Sequence, residues 1–171
     1  ITIVDSAVWD KNRNFIFVPY VPVGRFKEAL STVDYVPDPE LKEHPWFIFG
    51  HQEFKGTVMG MQVSTHGDSW SEQLPQVISG HIHEHQILPG VIYVGTFYQQ
   101  NYGESPDKAI LMLNFDEEKS RVQEAVPGQT KRAMFTTERI RLKSVPVLVT
   151  VHLNSNELEH FADKIPAEGQ V

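Results

Sequence analysis

Two apolar runs in this chain end the same way, in a glycine and then a histidine: Phe47-Ile48-Phe49-Gly50-His51 and Val77-Ile78-Ser79-Gly80-His81-Ile82-His83. A buried strand gives a rigid end, a glycine lets backbone approach whatever sits there, and the imidazole projects from the strand's carboxyl edge. Open α/β sheets place their sites at such edges. In an extended segment His81 and His83 share one side while Ile82 turns into the core. Two imidazoles on one side can share a metal ion or bind two neighbouring ones. The pattern therefore makes His51, His81 and His83 the expected metal ligands. His85 continues the alternation but leads into Gln86-Ile87-Leu88-Pro89-Gly90, a return into another strand, and reads as a supporting or exposed residue. His66, in Ser64-Thr65-His66-Gly67-Asp68, reads as a turn histidine, and His44, His152 and His160 lack any comparable context.

Composition narrows what such histidines can do. The chain has no cysteine, which removes disulfides, thiolate metal sites and cysteine nucleophiles, so any metal must be held by His, Asp, Glu or Asn. At 171 residues and 40% apolar content there is room for one domain with a core and little more. The net charge of −7 argues against wrapping of a nucleic-acid backbone by side chains alone. It leaves nucleic acid open as a substrate, because bound metal ions supply local positive charge. No apolar run reaches the roughly 20 residues of a membrane-spanning helix and no signal-peptide pattern opens the chain, so a cytoplasmic protein without membrane attachment is expected.

The elements that must position these residues are mostly strands, at residues 1–4, 15–21, 46–49, 77–79, 91–94, 109–115 and 134–142. Residues 23–33 carry Phe26, Ala29, Leu30 and Val33 at helical spacing and predict one helix. Three prolines and alternating acids across residues 34–45 read as a surface loop. The pattern is α/β or α+β. A further strand at 145–153 and a helix opening at Asn154, with Glu157 as its capping-box partner, read as the start of a second domain. The expected division is 1–143 and 144–171. Ile1-Thr2-Ile3-Val4 enters a strand directly, which gives the expectation of a chain cut from something longer. Between residues 128 and 143, five basic residues (Lys131, Arg132, Arg139, Arg141 and Lys143) stand against Glu138 alone. Arg139, Arg141 and Lys143 fall on one strand face and Ile140 and Leu142 on the other. That strip reads either as a solvated sheet face or as a surface turned to a phosphate or a partner.

Strand-Gly-His51, the Gly-His-x-His of His81 and His83, then Val91-Ile92-Tyr93-Val94-Gly95-Thr96 and the later Glu104 together resemble the second half of the calcineurin-like metallophosphoesterases. Within them the chain is most similar to the SbcD-type DNA repair and recombination exonuclease subunits, phage-like members included. Ser64-Thr65-His66-Gly67 is similar to a Ser-His-Gly that phage-type members carry. The resemblance runs from about Phe15 to Leu142. It implies a metallophosphoesterase-type β-sandwich flanked by helices, with only its second half present, followed by the start of a capping domain. It implies that His51 and His81 bind one metal of a dinuclear pair and His83 the other, with manganese expected and iron or zinc as alternatives. Tyr98, His66 and Thr96 become candidate substrate contacts.

The same resemblance implies a hydrolase that cleaves DNA phosphodiesters in repair or recombination, partnered by an SMC-like ATPase of SbcC type and open to homodimer formation, in a bacterial or phage-infected cell. Three motifs of the family's first half are missing: Asp-x-His, the Gly-Asp that bridges the metals, and Asn-His. No catalytic side chain is therefore expected within this chain, which on its own should hold one weak metal at most and be inactive. Two other classes remain open. A cupin-like metal-binding barrel also sets an HxH on a strand, although the glutamate such a site needs a few residues later is absent here. A non-catalytic interaction module derived from a phosphoesterase is the third reading.

Overall fold

The computed structural model describes residues 3–40, 44–124, 133–145 and 147–148. Six strands form the main sheet: β1 (Val8–Asp10), β2 (Phe15–Phe17), β3 (Phe47–Gly50), β6 (Gln76–Ser79), β7 (Gln86–Leu88) and β8 (Val91–Tyr93). Their order is β1-β2-β3-β6-β8-β7, with β2, β3, β6 and β8 parallel and the two edge strands antiparallel to their neighbours. A small hairpin with two-residue strands, β4 (Val58–Met59) and β5 (Gln62–Val63), interrupts the path from β3 to β6. The helix α1 (Phe26–Ser31) connects β2 to β3, and α2 (Glu117–Glu124) joins β9 (Ile110–Asp116) to β10 (Met134–Ile140), which pair as a separate antiparallel sheet.

The central strands have short, nearly continuous apolar sequences because both of their faces are covered. Ile16, Ile48, Val77, Val91 and Tyr93 point to one side and pack with Phe26, Leu30, Tyr35 and Phe54 from α1 and the loops. Phe47, Ile78 and Ile92 point to the other and meet Leu111, Leu113, Phe115 and Phe135 of the β9–β10 sheet. The fold is mixed α/β, dominated by sheet, with few helices among the described residues.

Several expectations need correction. The strand expected at residues 1–4 is not formed at Ile3 and Val4, and its first two residues lie outside the described part. The helix is shorter than residues 23–33, since Gly24 at φ +87 keeps the chain out of helical geometry until Arg25. Residues 34–45 are not simply a surface loop. Tyr35 and His44 are buried and share a 2.8 Å hydrogen bond between the phenol oxygen and Nδ1. The basic strip is solvent-exposed where it is described, as the solvated-face reading expects, but two of its members are engaged: Arg139 and Arg141 both bind the Asp107 carboxylate, and Ile140 and Leu142 between and beyond them are exposed as well. The expected strand at 145–153, the helix after Asn154, Lys131, Arg132, His152, His160 and most of the 144–171 segment lie outside the described residues.

Candidate functional site

Parallel pairing of β3 with β6 sets Gly50 opposite Ser79, so the two Gly-His corners leave the sheet side by side at its carboxyl edge. The rings of His51 and His81 stand perpendicular with centroids 5.0 Å apart. Next to them, the chain leaving β2 brings Tyr20, whose ring stacks on His81 at 5.8 Å and meets His51 edge-on at 6.4 Å. The corner is held by Ser79. Its fully buried hydroxyl accepts the Gln52 N–H at 3.1 Å and donates to the Gln52 carbonyl at 2.9 Å, tying the turn after His51 to the strand that leads to His81. From β8, the Tyr93 hydroxyl accepts the Phe54 N–H at 2.8 Å and pins the same turn further along.

The glycines before the histidines do less than expected. A Cβ on Gly50 would meet the Phe26 ring, and one on Gly80 would meet His51, each at an ordinary 3.5 Å. The demanding glycine beside the Gly-His-x-His loop is Gly95, after β8. Its φ is +74, and a Cβ there would lie 2.9 Å from the His85 backbone nitrogen. That close approach lets the β8 exit run against the Gly-His-x-His loop, where Thr96 donates its N–H to the His83 carbonyl at 3.0 Å.

His83 faces away from the His51–His81 pair in its hydrogen bonding. Its Nδ1 lies 2.8 Å from Oε1 of Glu104. Glu104 also accepts from the Gln100 N–H, the Asn101 side-chain amide and the Lys108 ammonium. Burial alone would raise its pKa, but the His83 and Gln100 hydrogen bonds and the Lys108 charge outweigh that and bring the carboxyl down to about 2. Lys108, itself buried, reaches the His83 carbonyl at 2.8 Å and Glu84 at 2.9 Å. An open cleft of about 450 Å³ lies above this assembly, lined among others by Val58, Met59, His81, His83, Asn101 and Glu104.

The donors suit a divalent metal chemically. His51, although exposed at its rim, is held below the ordinary histidine pKa first by partial burial and then by the neighbouring His81 and His83. A neutral imidazole is the form that ligates. His81 has its Nδ1 buried without a hydrogen-bond partner, and His83 has one nitrogen already engaged by a carboxylate, the usual support of a metal-bound imidazole. As a set, however, they are incomplete. Among the described residues, no group of three or more His, Asp or Glu side chains is gathered closely enough to enclose a metal ion.

The remaining expected residues have identifiable places. Thr96 commits its hydroxyl to the Tyr98 carbonyl, Tyr98 is exposed with its ring edge-on to Phe97 at 4.8 Å, and His66 is exposed on the turn that follows β5. His85 is anchored through Nδ1 to the Tyr93 carbonyl at 2.8 Å. Asp68 is occupied structurally: its carboxylate accepts the Gly24 and Phe26 N–H groups and the Gln52 amide. Sequence reasoning missed Tyr20 and Lys108. Nothing local marks either one; only the strand order brings Tyr20 to the histidines, and Lys108 reads as an ordinary surface lysine.

Relatives of this chain carry a phosphoesterase name. It is 44% identical over 118 residues to "Putative phosphoesterase 244L" of Invertebrate iridescent virus 6, covering 67% of this chain and 40% of the relative. It is 41% identical over 116 residues to "Putative phosphoesterase 078R" of Invertebrate iridescent virus 3, covering 66% and 33%. The chain thus spans less than half the length of either relative. No family model and no solved structure matches it. Among the described residues no helix is long and apolar enough to cross a membrane.

Proposed function

We propose that this chain is the histidine-bearing part of a metal-dependent phosphoester hydrolase, with the phosphodiesters of DNA as its substrate. The observation that carries the reading is the meeting of His51 and His81 at adjacent parallel strand ends, with His83 braced beside them above an open cleft. Similarity to two viral proteins named for phosphoesterase activity supports a phosphoester hydrolase at that coarse level. The choice of DNA, of manganese over iron or zinc, of a second metal ion, and of an SMC-like ATPase partner rests on the resemblance of the Gly-His and Gly-His-x-His motifs, and the cytoplasmic setting on the sequence reading alone.

A divalent cation bound there would supply an activated water and neutralise phosphate charge. The chain's own part is positional. His51 and His81 offer nitrogens from a rigid edge, His83 adds a third from a braced loop, and the cleft gives a diester room to lie against His81 and His83. Carboxylate or amide ligands from other residues must complete the coordination, because three imidazoles leave the cation's charge unbalanced.

The test is Mn²⁺-dependent hydrolysis of bis(p-nitrophenyl) phosphate and of a blunt DNA duplex by the complete protein, in which this chain is joined by the residues that supply the missing carboxylate and amide ligands, with p-nitrophenyl phosphate as the monoester control. Diester and DNA cleavage that disappears on chelation and returns with Mn²⁺ supports the reading. Monoester hydrolysis alone would remove DNA from it, and Mn²⁺-independent turnover would remove the metal.

A further inference from the structure

Building on the reading of the histidines as cation ligands, we propose that Glu104 is a positioning residue that fixes the His83 ring with its proton on Nδ1 and its lone pair on Nε2. The argument is one of donors and acceptors. Apart from His83, the partners of the Glu104 carboxylate are the Gln100 N–H at 3.1 Å, the Asn101 amide at 3.0 Å and the Lys108 ammonium at 3.0 Å. Every one of these is a donor, so the carboxylate acts purely as an acceptor. The remaining partner, His83 Nδ1 at 2.8 Å, must then donate as well. A neutral imidazole that donates from Nδ1 has its only free lone pair on Nε2.

This tautomer is not the one a free histidine side chain favours in water, where the proton resides mainly on Nε2. The protein therefore holds the ring in the less common form. The backbone that carries the ring is fixed as well, because the His83 carbonyl is gripped by the Thr96 N–H at 3.0 Å and the Lys108 ammonium at 2.8 Å. With Glu104 only 10% exposed at its side chain, water competes poorly for that hydrogen bond. His81 has no such partner: its buried Nδ1 is unbonded and its ring is held by stacking on Tyr20. The two histidines of the motif are thus oriented by different means, and Glu104 serves only one of them.

The experiment combines long-range ¹H–¹⁵N NMR of the metal-free protein at pH 8 with calorimetric Zn²⁺ titration, on wild type, Glu104→Gln and Glu104→Leu. The wild type should show His83 protonated on Nδ1. Glu104→Leu should shift the ring towards the Nε2–H form and weaken Zn²⁺ binding about 10–100-fold. Glu104→Gln keeps an acceptor oxygen and should stay closer to wild type in both readouts. An Nε2–H tautomer in the wild type overturns the proposal even if no variant folds, and so does a folded Glu104→Leu with unchanged tautomer and affinity. If the wild type shows the Nδ1–H form, and Glu104→Leu loses it, while no protein takes up Zn²⁺, the orienting role stands and the cation reading of the site falls.

Discussion

At the scale of single residues the histidines divide by how they are held. In the complete protein, replacing His51, His81 or His83 by Ala should abolish most Mn²⁺-dependent diester hydrolysis and lower metal uptake, because each removes a nitrogen aimed from a fixed position. His85→Ala should keep activity within a few-fold, since its ring is anchored to the Tyr93 carbonyl, and His66→Ala should fall between, as an exposed turn residue. Metal content measured beside hydrolysis rate across the series checks the assignment. Retained metal and rate in His83→Ala with loss of both in His85→Ala would show the site to be displaced by one alternation. A separate case is Ser79→Ala. It strips two hydrogen bonds from the turn after His51 and leaves the buried Gln52 N–H unpaired. It should cost about 1–3 kcal/mol by urea denaturation while leaving the strand pairing intact.

Among the elements, the decisive contrast lies between two kinds of glycine. Gly50→Ala adds a methyl at normal contact distance from Phe26 and should be nearly neutral. Gly95→Ala forces a left-handed residue against the His85 backbone and should cost about 1–3 kcal/mol and weaken metal binding as well. Thermal melts of both variants decide it. The same contrast shows what the sequence makes legible. β3, β6 and β8 stand out as apolar runs because both faces of the sheet are covered, and the Gly-His corners follow from their ends. That the glycine of those corners is sterically optional could not be read, since it depends on where Phe26 lies in space. β4 and β5 are too short for any period to show. The helix α2 has no apolar stripe, yet its start is written in Asp116-Glu117-Glu118-Lys119: the Asp116 carboxylate accepts the Lys119 N–H at 2.9 Å as an N-cap. The site's bracing was the least legible part, because the Glu104–His83 and Lys108–His83 contacts join residues far apart along the chain.

For the whole molecule, one joint outside the cores runs through Asp107. Arg139 donates to its carboxylate at 2.7 Å and to its carbonyl at 2.8 Å, and Arg141 adds a second guanidinium. These hydrogen bonds, Arg139's before Arg141's, hold the Asp107 carboxyl below its ordinary value. A folded-state pKa below the unfolded one contributes stability above the unfolded value, and that contribution disappears as pH falls through the folded one. The protection factor of amides at the Arg139 end of β10, exchange corrected for its intrinsic pH dependence, should therefore be unchanged from neutral pH to mild acid and fall only once the pH drops below the usual aspartate range. Asp107→Asn should show the lower protection factor throughout. Protection already lost by pH 6 would assign the joint to some other group.

Asp107 is followed at once by Lys108, so one short stretch of chain grips the second sheet with one residue and the carbonyl of His83 with the next. Were binding at the cleft and binding on that outer sheet coupled through this stretch, each would change the other's affinity by one and the same factor.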